Sequence, residues 1–169
     1  MTARGLWARI GVSTLLAGTL LLWVSPARPG HRVSAPVAAV VGAVAGALLF
    51  LGATRQAPRL SPGSAGLAVS LAEQALLGLW ATNEEIVWRR VVLGELLPAG
   101  APAALALSSL GFALVHRRRR TLHLGTGAAF GGVYIATGWL GASVAAHWLY
   151  NSLVGARVDR VRVSPGLPP

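Results

Sequence analysis

The nine residues Thr82-Asn83-Glu84-Glu85-Ile86-Val87-Trp88-Arg89-Arg90 put two carboxylates and two guanidinium groups into a chain that is only 12% charged and 54% hydrophobic. Apolar sequence flanks them on both sides, from Ala65 to Ala81 and from Val91 to Leu97. Flanks of that length place the cluster at membrane depth, where an ionisable side chain costs at least about 2.5 kcal/mol and persists only with a partner or a task.

Spacing separates the two carboxylates. Glu85 and Arg89 are four residues apart, share a helical face and can pair, with the acid on the favoured N-terminal side. Glu84 is turned about 100° away and has Trp88, not a cation, four residues on. Glu85 with Arg89 therefore reads as support and Glu84 as the working carboxylate. The competing reading is a solvated helix start, since Thr82-x-x-Glu85 fits a capping box.

The apolar runs predict an all-α, polytopic transmembrane bundle of about six spans. The first two, Ile10 to Val24 and Val37 to Ala53, fall in residues 1–64; the first could instead be a signal peptide, with Ser25-Pro26-Ala27 as its cleavage site. A long helical stretch from Ala65 to Leu97, single or broken near Thr82-Asn83, opens a core at residues 65–156. Spans at Ala103–Val115, Leu122–Trp139 and Gly141–Ala156 complete it, and 157–169 read as a basic, Pro-rich, disordered tail. Gly42/Gly46 and Gly127/Gly131 give small-xxx-small faces for close helix packing. With six spans, Arg4, Arg9, Arg55, Arg59, Arg117 to Arg120, Arg157, Arg160 and Arg162 fall on one side and only Arg28 and Arg32 on the other. That asymmetry puts both termini in the cytoplasm. It also assigns the net charge of +10 to membrane anchoring rather than nucleic acid, since no aromatic-interleaved basic groove is present. With no cysteine, disulfides, thiol nucleophiles and Cys-ligated metals are excluded.

Two more polar groups stand in apolar segments: Phe112-Ala113-Leu114-Val115-His116 at the end of the fourth span and His147-Trp148-Leu149-Tyr150-Asn151 in the sixth. Singly, each histidine reads as readily as an interfacial or packing residue. Glu84, His116, His147 and Asn151 together are an inventory for activating water and stabilising an oxyanion. In this order, E-E-x-x-x-R at Glu84 to Arg89, F-x-x-x-H at Phe112 to His116 and H-x-x-x-N at His147 to Asn151 resemble the CPBP family of intramembrane proteases. That family joins type II CAAX prenyl endopeptidases with bacteriocin-processing and immunity proteins of the Abi group, and the resemblance spans roughly residues 72–156.

The resemblance implies that Glu84 and His116 bind and activate the hydrolytic water, that His147 and Asn151 form the oxyanion site, and that Glu85 and Arg89 support them. The family often has Phe before its motif Arg and Gly after it, where this chain has Trp88 and Arg90. No cofactor is implied; the alternative is a zinc ion on Glu84, His116 and His147. The expected partners are the lipid bilayer and a membrane-associated peptide or protein tail, in the cell membrane, with the active site open toward the cytoplasm. The absence of H-E-x-x-H argues against a site-2-type zinc protease, and Ser143 sits on the same helix as His147 rather than across from it, which disfavours a rhomboid-like serine. From other classes, a non-catalytic scaffold or immunity protein, or a small ion- or proton-coupled transporter, would use the same polar groups.

Overall fold

The computed structural model describes residues 3–30, 32–54 and 71–163. The expected loop from Arg55 to Ser64 and the end of the tail lie outside these residues. Among the described residues the chain is all-helical with no strand. The helices are α1 (Ala3–Trp23), α2 (Ala35–Thr54), α3 (Leu71–Glu85), α4 (Ala101–Val115), α5 (Arg120–Thr137) and α6 (Leu140–Val163). Between α3 and α4 the rod continues as a π-helical segment, Ile86–Leu93, a short helical turn, Gly94–Leu96, and a 3-10 turn, Leu97–Ala99.

The long stretch is thus unbroken at Thr82-Asn83; it changes helical type just after the paired glutamates instead. Thr82 does not cap a helix start, because its hydroxyl donates back to the Gly78 carbonyl at 2.8 Å within α3. Asn83 donates to Ser13 and Thr14 at 3.1 and 2.8 Å, tying α1 to α3. The last helix runs on to Val163, beyond the expected end at Ala156, so the first part of the expected disordered tail is helical. The run Ala156-Arg157-Val158-Asp159-Arg160 contains no Gly or Pro to stop a helix, and arginine is a good helix former.

Close approach of helices comes from the small residues. On α2, a Cβ at Gly42 would collide with the Ala142 carbonyl oxygen, and one at Gly46 would lie 2.5 Å from that of Ala146, so α2 and α6 touch backbone to backbone. On α5, Gly127 and Gly131 instead leave room for the side chains of Phe112 and Leu105 of α4. α5 ends at Gly138, whose left-handed backbone (φ 70°) closes the turn into α6 and brings those two helices side by side.

Polar side chains are concentrated inside and apolar ones outside. Asn83, Glu85, Arg89, Ser108, Ser109, Thr126, Thr137, Ser143 and His147 are buried, whereas Val12, Leu15, Leu22, Val40, Leu48, Leu107 and Leu114 are exposed. Inside the helices, Ser109 and Thr137 donate to carbonyls one turn back, at 2.6 and 2.7 Å, so their hydroxyls cost little there. By length and composition only α2 among the described helices passes for a full membrane span; Trp7–Trp23 and Ala101–Val115 are apolar but shorter. α3, α5 and α6 carry charged and polar groups that lower their hydropathy.

Candidate active site

The rod presents Glu84 and Glu85 toward α6 on adjoining faces, and the two meet different environments. Glu85 is fully buried. Its Oε2 lies 3.0 Å from Arg89 Nε and accepts from the Ser143 hydroxyl at 2.5 Å, while its Oε1 takes His147 Nδ1 at 2.9 Å. Glu84 keeps 19% of its side chain exposed, accepts from the Trp80 indole N–H at 2.6 Å and turns its other oxygen to His147 Nε2 at 3.7 Å. One imidazole thus stands between two carboxylates, hydrogen-bonded to the sealed one and facing the accessible one.

Arg89 is also fully buried. Its Nε is close to Glu85, but the N–H is not aligned for a hydrogen bond, and Nη1 and Nη2 have no partner among the described residues. The guanidinium instead lies over two rings, with its carbon 5.0 Å from the Phe112 centroid and 5.9 Å from that of Phe130. Phe130 also stacks on His147 at 4.6 Å and 17°, fixing the plane of the imidazole. Trp88, the larger ring where the family often has Phe, fits because Gly111 opposes it: a Cβ there would be 2.7 Å from Trp88 Cζ3. The carbonyl of Trp88, within the π-helical segment, accepts from Ser108 of α4 at 2.8 Å, so α4 braces the irregular turn. π-helical turns inside α-helices are frequent at functional sites.

His116 caps α4 with extended backbone, and its Nδ1 is 2.7 Å from the Phe112 carbonyl. A carbonyl only accepts, so Nδ1 carries the proton, and in the neutral ring Nε2 is left as an acceptor. His116 is not within ion-pairing distance of Glu84; it joins the site through Phe112, whose ring is 4.5 Å from His116 and 6.3 Å from His147. Asn151 is half-buried one turn beyond His147 and makes no side-chain hydrogen bond among the described residues. The structure therefore gathers Glu84, Glu85, Arg89 and His147 into one contact network, with His116 adjacent and Asn151 one turn away. For the zinc alternative, no group of three or more His, Asp or Glu side chains that could hold a metal ion occurs among the described residues, so Glu84, His116 and His147 do not close as a ligand set.

Sequence reasoning missed several members. Trp80 is four residues before Glu84, so its bond was available from helical spacing. Ser143 precedes His147 by four residues and shares its face, which was a signal that both meet the same partner. His123, stacked on His116 at 3.9 Å and 22°, had no such signal. It is brought back by the turn at Arg119, the one described non-glycine residue with left-handed backbone (φ 54°).

Among the described residues the fold is all-helical around a buried network of Glu85, Arg89 and His147. The family model for type II CAAX prenyl endopeptidase Rce1-like proteins matches residues 68–153, half of the chain, and the chain belongs to that family. Neither the curated proteins nor the solved structures contain a match to it.

Proposed function

We propose that the protein is an intramembrane endopeptidase that hydrolyses peptide bonds in membrane-associated peptides or protein tails, using water activated by Glu84 and His116. The observation that carries this reading is the placing of His147 between Glu85 and Glu84. Nδ1 is engaged by Glu85, so Nε2 can donate only when the ring holds a second proton, and the cation so formed stands between two carboxylates. An imidazolium held in this way, with the Asn151 amide one turn on, supplies donors to a developing tetrahedral oxyanion.

Glu84 is the carboxylate with access to water, and His116 offers a free acceptor nitrogen, so the two divide between them the work of taking the proton from the nucleophilic water. That proton then goes to the departing amine as the C–N bond breaks, giving a carboxylate and an amine as products. Glu85, Arg89 and Ser143 hold His147 in place. The polar interior and apolar exterior support a polytopic membrane bundle of about six spans. The arginine asymmetry supports cytoplasmic termini and a site opening toward the cytoplasm.

The test compares membrane-fraction peptides from cells expressing wild-type and Glu84→Gln protein at equal levels. A peptide whose processing depends on Glu84 identifies both activity and substrate. If no peptide changes, and purified wild-type protein leaves a prenylated CAAX-type peptide intact, the scaffold or transporter reading replaces this one.

A further inference from the structure

Arg90 stands where the family often has Gly and plays no part in the catalytic network. It reaches from the π-helical segment with its Nε buried and without a hydrogen-bond partner among the described residues. Two more arginines, Arg28 and Arg32, are exposed on the connection between α1 and α2. That connection is docked at two places. A Cβ on Gly94, four residues past Arg90, would lie 2.7 Å from the Ala27 carbonyl oxygen and 2.8 Å from Pro26 Cβ. At the end of α5, Val33 N–H donates to the Thr137 carbonyl at 3.1 Å, and the Val33 carbonyl accepts from the Trp139 indole at 2.7 Å.

The docking carries the arginines to one place. The Arg32 guanidinium lies over the Trp139 ring at 5.6 Å, Arg28 follows the Ala27 that packs on Gly94 one turn past Arg90, and Tyr134 is buried against Leu93, the residue before Gly94. No carboxylate forms an ion pair with any of the three among the described residues; Glu95, five residues after Arg90, makes none. Three cations from two chain segments thus converge without a counterion, at the end of the bundle where the arginine asymmetry of this chain predicts few.

We propose that Arg28, Arg32 and Arg90, with the Tyr134 hydroxyl, form a binding site for a phosphate group at the end of α5 opposite Arg117–Arg120. The planar guanidinium fork matches phosphate oxygens two at a time, and the phenol adds a neutral donor. Trp139, an amphipathic ring with its N–H satisfied by backbone, is suited to the level of the lipid headgroups, where phosphodiesters are abundant. The site is about 27 Å from the four-arginine turn, the length of α5 at the helical rise, and it does not depend on the protease reading.

The experiment follows the thermal midpoint of the purified full-length protein in maltoside micelles. Phosphatidylglycerol, phosphatidylcholine and inorganic phosphate are titrated separately against sodium chloride of matched ionic strength. Protection by phosphatidylglycerol identifies a lipid headgroup as the source, and protection by inorganic phosphate a soluble one. In either case Arg28→Gln, Arg32→Gln and Arg90→Gly should each weaken the apparent affinity at least about ten-fold, as loss of one charge-assisted contact does, while Arg117→Gln/Arg118→Gln should not. Because Arg28 and Arg32 are exposed, their variants fold even if Arg90→Gly does not. If neither phosphate source protects beyond chloride, or if protection survives in the Arg28→Gln/Arg32→Gln double variant, the proposal is wrong.

Discussion

Replacing Glu85 by Gln leaves the shape of the site and removes the counterion paired with Arg89. The guanidinium is fully buried, with two of its nitrogens already unpartnered, so it cannot turn to water. Stranding one member of a buried pair costs about 3–5 kcal/mol. The rings of Phe112 and Phe130 still face the cation at 5.0 and 5.9 Å, which places the loss near the lower end, about 3 kcal/mol. Gln also replaces one acceptor oxygen with an NH2 facing either the Ser143 hydroxyl or His147 Nδ1, a further cost of about 1 kcal/mol.

The sum, about 4 kcal/mol, lowers the folded-to-unfolded ratio roughly a thousand-fold. Unfolding by sodium dodecyl sulfate in mixed micelles, followed by the fluorescence of the six tryptophans, measures it directly. The double variant Glu85→Gln/Arg89→Met should recover at least about 2 kcal/mol, since it removes the stranded charge as well. A Glu85→Gln protein within about 1 kcal/mol of wild type, or a double variant no more stable than the single, would refute the reasoning.

Three further outcomes are expected. Asn151→Ala should lower kcat by about 10²–10³-fold with KM nearly unchanged if its amide stabilises the oxyanion; Asn151→Asp should be slower still, whereas a purely packing role would move detergent stability and leave kcat near wild type. Gly42→Val should cost about 1–3 kcal/mol in the same unfolding assay, because its new side chain meets the Ala142 carbonyl, a backbone atom that cannot step aside; Gly52→Val, on the open side of the same helix, serves as the control and should change little. In intact cells, a cysteine at Ser34 should react with an impermeant thiol reagent and one at Thr121 should not; labelling at Thr121 would overturn the orientation drawn from the arginines.

Local features were legible in the chain because they depend on spacing along a helix. The pairing of Glu85 with Arg89 and the small faces at Gly42/Gly46 and Gly127/Gly131 are periodicities of one helix, and the structure uses them for the ion pair and for the close approach of α2 to α6 and of α5 to α4. The separation of Glu84 from Glu85 follows from the same geometry. What the sequence left open is where neighbouring helices end up. The residues fit a rod either continuous or broken at Thr82-Asn83, yet its irregularity falls after Glu85, where Ser108 of α4 bonds to the Trp88 carbonyl; a π-helical turn braced from another helix has no signature in its own residues. Likewise, His147 could be seen to share a face with Asn151, but its engagement of Glu85 depends on α6 lying against the rod. That contact exists because Gly138 folds α6 back on α5 and Gly42 and Gly46 let α2 hold it there. The stacking of His123 on His116 follows the left-handed backbone of Arg119, a geometry uncommon outside glycine that an arginine does not announce in the sequence.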